Sequence, residues 1–232
     1  MSKLIFDIGC NLGEFFEACV RKFGRDNRFV VVDANKQILD YWSAPGIDVV
    51  KVNAVVANES ERSVPFFISM EDGISTASED FMRNSRFAKG SKNLPFVSRW
   101  CDPVYVPTIT IDKLIELHGT PDIIKLDIEG YELQALLGLT KKVNMICFEW
   151  SEEFLPDLKK CIKHLSSLGY EKFGTIGYFD ELPNDLPLTH HDAGDPYLVE
   201  PDNYVSAATL VESLESVCNI DRRVNYGMCF CK

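Results

Sequence analysis

Apolar residues recur along this chain in two alternating rhythms, short unbroken runs and longer stretches at helical spacing. Residues 4–7 form a short apolar run. From Leu12 the residues Phe15, Phe16, Cys19, Val20 and Phe23 follow the helical period until Gly24. A strand leading into an amphipathic helix is the expected pair. Residues 29–33 are apolar on both faces and end in an acid, residues 37–43 read as a short helix closed by Pro45-Gly46, and residues 49–56 as a third strand. Residues 64–68 add an extended segment. Residues 69–103 have no clear period, and a stretch of that length in a compact domain marks a functional or mobile segment. Residues 104–108 look extended. Thr110 then caps a helix with Ile111, Leu114, Ile115 and His118 on one face, ended by Gly119 and Pro121.

The second half repeats the rhythm. "IIKLD" (123–127) is a fourth core strand, residues 130–140 a helix, and "MICFE" (145–149) a fifth core strand. Phe154, Leu158, Cys161, Ile162, Leu165 and Leu168 make a long amphipathic helix closed by Gly169, and residues 170–175 a sixth core strand. Residues 180–203 are rich in Pro, Asp and Asn and read as a loop. Ala207, Leu210, Val211, Leu214 and Val217 give a last helix, and residues 225–231 a last strand. Strands separated by helices of about ten residues predict an α/β fold, a parallel sheet with helices on both faces. Residues 1–232 read as one domain with an insert at 69–103, placed to act as a lid, and a C-terminal elaboration at 177–222.

In such sheets a ligand sits at the carboxyl ends of the strands, where strand order reverses. The residues ending the predicted strands therefore matter most: Asp7, Asp33, the Asn53-Ala54 pair, Asp127 and Glu149. Four carboxylates along one edge of an apolar sheet are costly unless something polar or cationic binds there. Gly9 and Gly13 in "DIGCNLGEF" allow a tight turn and close approach of a ligand to the backbone. The following helix aims its free N–H groups at that turn, which suits an anionic group. Asp33, about twenty residues on, is placed to accept both hydroxyls of a ribose. A dinucleotide would need the GxGxxG pattern, but the glycines here are spaced GxxxG, and Asn11 would crowd a pyrophosphate. S-adenosyl-L-methionine fits better. Its carboxylate suits the helix N-terminus, its ammonium Asp7 or nearby carbonyls, and its ribose Asp33.

Composition narrows the remaining classes. The 232 residues, 46% hydrophobic and 25% charged, suit one sizeable core. No apolar run approaches the roughly 20 residues of a membrane span. Two residues separate Met1 from the first apolar run, which leaves no room for a secretory signal, so a cytoplasmic protein is expected. The eight cysteines include no CxxC pair and read as reduced, mostly buried thiols. A net charge of −11 argues against a nucleic-acid binder. Between residues 83 and 99, however, stand five basic residues (Arg83, Arg86, Lys89, Lys92, Arg99) and no acid, a segment suited to attract an acidic acceptor. Ser75, Thr76 and Ser78 precede it as candidate contacts for adenine or acceptor hydroxyls. His190-His191 with Asp192 and Asp195 has metal-binding residue types, but its Pro/Asp/Asn-rich setting reads as a plain polar loop, and no metal site is predicted.

Taken together, "FDIGCNLGEF" (6–15), "VVVDAN" (30–35), "VNAVV" (52–56), "VPTITIDKL" (106–114) and "IIKLDIEGYELQALLG" (123–138) resemble the FkbM-type S-adenosylmethionine-dependent methyltransferases. "KLDIEGYE" (125–132) is the most specific block. The resemblance implies a class I methyltransferase fold, a Rossmann-like three-layer sandwich with a mostly parallel seven-stranded sheet whose last strand is antiparallel. It also implies O-methylation of a hydroxyl on a sugar or small metabolite. Two departures are Asp33, where the family often has Glu, and Cys10, where it usually has a smaller residue.

The expected cofactor contacts are Asp7, Gly9, Cys10, Asn11, Gly13, Asp33, Ala34, Asn53, Ala54 and Asp127. Methyl transfer is an in-line displacement, so alignment dominates, and a hydroxyl nucleophile also gains from a base. Asp127 is the expected base or positioning group, with Lys125, Glu129 and Glu149 as helpers. Lys125 has a second reading, as a neutraliser of the carboxylates, and Glu132 one as a first-turn helix acid. Two other function classes are compatible with the pattern: a catalytically inert partner that keeps the cofactor fold, and a nicotinamide-dependent oxidoreductase.

Overall fold

The computed structural model describes residues 2–71, 73–90, 97–179, 186–191, 200–201, 203–218 and 225–232. In chain order the elements are β1 (Leu4–Ile8), α1 (Glu14–Phe23), β2 (Arg28–Asp33), α2 (Lys36–Tyr41), β3 (Asp48–Asn53), β4 (Val55–Val56), β5 (Ser63–Phe66), α3 (Glu79–Asn84) and α4 (Arg86–Lys89). Then come β6 (Val104–Ile109), α5 (Ile111–His118), β7 (Ile123–Leu126), α6 (Glu132–Leu136), β8 (Met145–Ser151), a single 3₁₀ turn at Glu152–Phe154, and α7 (Leu155–Ser167). The chain closes with β9 (Phe173–Tyr178), β10 (Thr189–His190), α8 (Ala207–Val217) and β11 (Tyr226–Cys231).

The main sheet has the order β10-β9-β11-β8-β7-β1-β2-β3. β11 runs antiparallel to both β8 and β9, and the other pairings are parallel. Apart from the two-residue edge strand β10, this is the expected seven-stranded sheet. Alternate residues of each strand face opposite ways, so two apolar layers form. Phe6, Ile8, Val30, Ile124, Leu126 and Phe148 meet Leu114 of α5, Leu136 of α6, Ile162 and Leu165 of α7, and Leu214 of α8. On the other face Ile5, Phe29, Val31, Met145 and Phe230 meet Phe15, Phe16 and Cys19 of α1 and Leu39 of α2. The cysteines are free thiols, and all but Cys101 are buried. Among the described residues no helix is long and apolar enough to cross a membrane.

The observed boundaries differ from the sequence reading where tertiary contacts override the local pattern. The run 49–56 splits at Ala54: β3 stays in the main sheet, while β4 joins β6 and β5 in a separate three-stranded sheet. The segment around Ile68 leads into the insert, where α3 and α4 occupy part of the stretch that lacked a period. The helix expected over 130–140 shrinks to α6, because its first residues form a left-handed turn at Glu129 and Gly130. β8 runs two residues past Glu149, held by the pairs Tyr226–Ser151 and Gly227–Trp150. β9 begins at Phe173 rather than 170, since Tyr170 turns its ring inward and its hydroxyl donates to the carbonyl of Val143 at 3.0 Å. Most of the loop expected at 180–203 lies outside the described residues, as do Lys92, Asp192 and Asp195.

Candidate active site

β1 runs into the turn 9–13, and that turn opens a cavity of about 800 Å³ across the carboxyl ends of the central strands. Gly9 has φ 74°, and a Cβ placed on it would lie 1.8 Å from the carbonyl oxygen of Asp127. No side chain fits there, so the turn after β1 and the turn after β7 are pressed together at this glycine. Asn11 is itself left-handed, with φ 39°, a conformation Asn tolerates better than most residues. Gly13, also left-handed, caps α1.

Asp33 organises this end. One carboxylate oxygen accepts from the Asn11 amide at 3.1 Å, and the other from the Asn35 amide at 2.8 Å. Burial pushes its acidity constant above the usual carboxylate value, and the two amides oppose that push. Asn53 sits behind the turn, donating its side-chain amide to the carbonyls of Asp33 and Ala34 at 2.9 and 3.0 Å. Gly9, Cys10, Asn11, Asp33, Ala34 and Ala54 line the cavity, whereas Asp7, Gly13 and Asn53, which the sequence also offered as contacts, do not. The Cys10 thiol is pushed far up by burial and the neighbouring acids, so it is an inert wall residue.

Lys125 joins the two ends. It is 3% exposed on β7, opposite Asp7 in the register. Its ammonium donates to the Gly9 carbonyl at 2.6 Å and lies 3.3 Å from Asp7 and 3.6 Å from Asp127. Asp7 is fully buried, and burial raises its acidity constant while Lys125 works against the rise. A buried carboxylate needs such a partner.

At the far end the carboxylates of Asp127, Glu129 and Glu149 converge, each offering an oxygen within 4.8 Å of the others. Asp127 and Glu129 come from the turn after β7 and Glu149 from inside β8. Glu129 and Glu149 are both pushed well above the usual carboxylate range, first by burial and then by the charges of Asp127 and Glu132, with Glu129 also raising Glu149; Arg86 opposes the shift. Glu132 is not a plain helix acid. Its carboxylate folds back to accept the Ile128 amide at 2.9 Å, and burial raises its constant to about 7.

Residues distant in sequence complete the wall. Tyr178 stacks between His191 and Tyr226 at centroid distances of 4.5 and 4.9 Å, and the Arg86 guanidinium covers Tyr226 at 4.2 Å. Arg86 also pairs with Glu153 at 3.3 Å, and Arg83 with Glu79 at 2.9 Å. Tyr178, His190 and Tyr226 line the cavity; sequence reasoning missed the two tyrosines and read His190 as part of a plain polar loop, whereas it stands on the edge strand β10. The signal available was the antiparallel last strand, which sets Tyr226 beside Tyr178. Of the three hydroxyl residues before the basic segment, Ser75 lines the cavity. Thr76 donates to the Glu129 carbonyl, and Ser78 caps α3.

Several solved structures share features of this fold. The methyltransferase FkbM from Methylobacillus flagellatus KT is 15% identical, with a TM-score of 0.47 over 75% of this chain and 40% of that one. The present chain thus spans less than half the length of that relative. The precorrin-6y C5,15-methyltransferase from Geobacter metallireducens GS-15 is 10% identical, with a TM-score of 0.43 over 99% of this chain and 80% of that one. The plantazolicin methyltransferase BpumL, solved in complex with S-adenosylhomocysteine, is 11% identical, with a TM-score of 0.39 over 99% of this chain and 76% of that one. No curated protein matches the chain. The model of the methyltransferase FkbM domain matches residues 7–172, a span that holds the glycine turn, Asp33, Lys125 and all three converging carboxylates. The chain belongs to the FkbM methyltransferase family, whose cofactor is S-adenosyl-L-methionine.

Proposed function

We propose that this chain transfers a methyl group from S-adenosyl-L-methionine to a hydroxyl of a small polar acceptor, a sugar or related metabolite. One observation carries the reading: a single cavity has a glycine turn with a ribose-type acid at one end and three converging carboxylates at the other. The residues present fit the cofactor. A cavity of about 800 Å³ is in the size range of small-molecule sites. Asp33 keeps lone pairs beyond those taken by its two amides, and the first amides of α1 face the turn. In this reading Gly9, Cys10, Asn11 and Gly13 form the seat of the amino-acid tail, Asp33 holds the ribose, and Ala34 and Ala54 flank the base. Asn53 fixes the Asp33 turn from behind, and Asp7 acts through Lys125.

The cofactor supplies an electrophilic methyl on a sulfonium, so the protein needs mainly alignment and a proton acceptor. Asp127 positions the acceptor hydroxyl, and Glu129 or Glu149, whose proton affinity is raised by burial and the neighbouring acids, takes its proton. Lys125 ties the two turns together through Gly9 and Asp127. Arg86 and the rings of Tyr178 and Tyr226 form the acceptor wall, which suits a hydroxyl-rich or anionic metabolite.

The test is methyl transfer from labelled cofactor into fractionated small metabolites, with product mass read for one added methyl and its linkage mapped. An O-methyl product that vanishes with Asp127→Ala is the expected result. An N- or C-methyl product would replace the hydroxyl assignment. Tight binding of S-adenosylhomocysteine without turnover on any fraction would favour an inert binding module.

A further inference from the structure

The turn that carries two of the three converging carboxylates is held from outside its own element. Glu129 and Gly130 are successive left-handed residues, with φ 55° and 83°. A glutamate keeps that backbone when its surroundings over-determine it. The Glu129 carbonyl accepts a hydrogen bond from the Thr76 hydroxyl at 2.7 Å, across 53 positions of sequence. Thr76 belongs to the insert and is fully buried. Its backbone is pinned to Phe67 by two hydrogen bonds of 2.8 and 3.0 Å, and its hydroxyl oxygen accepts from the Ser78 amide at 2.8 Å. The hydroxyl proton is thereby directed at Glu129. Phe81 of α3 closes on the next residue, where a Cβ on Gly130 would lie 2.9 Å from the Cβ of Phe81. From the other side Glu132 takes the Ile128 amide. The insert and α6 therefore grip one turn between them.

We propose that Thr76 is a positioning residue for methyl transfer. Through the Glu129 carbonyl, its hydroxyl sets the turn that aims the Asp127 and Glu129 carboxylates at the point of transfer. The inference rests on the methyltransferase reading and gives Thr76 an indirect role in place of the direct contact with adenine or acceptor hydroxyls that the sequence suggested. The pinning of Thr76 to Phe67 is made by backbone atoms and survives loss of the hydroxyl, which also releases the Ser78 amide; Thr76→Ser keeps both of the hydroxyl's hydrogen bonds.

Two probes test this without the acceptor. S-adenosylhomocysteine has a neutral thioether, and sinefungin carries an ammonium group where the methyl stands. The ratio of their Kd values reports the negative charge aimed at the transfer point. It is measured by titration calorimetry on the full chain at mildly alkaline pH. Glu129→Gln is expected to lower the preference for sinefungin about three- to tenfold, the effect of one close carboxylate in a partly screened site. Thr76→Val should lower it by about threefold and leave S-adenosylhomocysteine affinity within about twofold, while Thr76→Ser keeps the wild-type ratio. On the Glu129→Gln background, Thr76→Val should lower the ratio by less than it does alone, because only the Asp127 carboxylate is then left for the turn to aim. An unchanged ratio in Thr76→Val, or an equal further drop on the Glu129→Gln background, overturns the proposal. Thr76→Ala serves the same comparison if the valine variant does not fold. Failure of the wild type to bind S-adenosylhomocysteine would instead defeat the methyltransferase reading.

Discussion

The two ends of the cavity solve the same electrostatic problem in opposite ways. At the glycine-turn end, each buried acid has a partner supplied by the fold. Asp33 accepts two backbone amides, and Asp7 faces the Lys125 ammonium. At the other end, the carboxylates of Glu129 and Glu149 accept no hydrogen bond from the described residues and stand against each other and Asp127. The first end is preorganised, complete before a ligand arrives. The second keeps high-energy groups in reserve, as expected where protons must move. Fold stability should therefore depend on the first set and be relieved by loss of the second.

The largest expected effect tests that division at Lys125. With side chains 4% and 0% exposed, the Lys125–Asp7 pair is a buried ion pair. Lys125→Met leaves Asp7 buried and unpaired and should destabilise the fold by about 3–5 kcal/mol. Adding Asp7→Asn should recover much of the loss, as read from urea midpoints of the three variants. If Lys125→Met costs no more than a surface substitution, the two turns do not depend on this cation.

Next comes Asp33. Asp33→Ala removes the acceptor of two turn amides and, in the proposed function, of the ribose hydroxyls. An affinity loss of about 100-fold for S-adenosylhomocysteine is expected, the scale of two or more charge-assisted hydrogen bonds. Asp127→Ala should alter that affinity much less. Equal losses in the two variants would erase the distinction between the ends.

The glycine-turn end was far more legible in the sequence than the carboxylate end, and the reason is physical. Gly9, Asn11 and Asp33 are close in sequence and set by one strand–turn–helix–strand unit, so spacing alone placed them at one end of the cavity. Lys125, Asp127 and Glu129 shared one motif and were likewise visible. Tyr178, His190, Tyr226 and Thr76 come from elements whose meeting depends on the antiparallel last strand and the folding of the insert. No local period encodes such a meeting. The parallel sheet with helices on both faces followed from alternating strands and helices, and the antiparallel last strand from the family resemblance. The boundaries of α6, β8 and β9 did not, because a left-handed turn, a strand partner and a buried tyrosine each overrode the local pattern.

The reserve at the carboxylate end predicts a pH dependence of the ligand-free protein. Glu132 has a raised constant, about 7 against an unfolded value of 4.5, and Glu129 and Glu149 are raised in the same direction. An acid that binds its proton more tightly when folded stabilises the fold below its unfolded constant and loses that contribution as pH rises through the folded one. Tm should therefore fall as pH rises from about 4.5 past about 7. Glu132→Gln, which keeps an oxygen for the Ile128 amide, should shrink that fall, cutting the loss of unfolding free energy across the window by roughly 1–3 kcal/mol. A wild-type Tm that rises across this window would show the carboxylates already compensated.

The smallest effect separates two arginines of the insert that the sequence treated alike. Arg83 and its partner Glu79 are 68% and 58% exposed, whereas Arg86 and Glu153 are 10% and 16% exposed. Arg83 is an i,i+4 surface pair, and Arg83→Ala should change stability by no more than about 0.5 kcal/mol, less still at high salt. Arg86 has its guanidinium between Tyr226 and Phe87 and its backbone amide on Glu153, so it ties the insert to the C-terminal wall through packing as well as charge. Arg86→Ala should exceed Arg83→Ala and resist salt, because stacked contacts are not screened as surface charge is. Thermal shifts of both variants across a salt series decide the point. Equal, salt-sensitive losses would mean the basic segment acts as diffuse charge, and the line between a built wall and a solvated surface would have to be drawn inside Arg86.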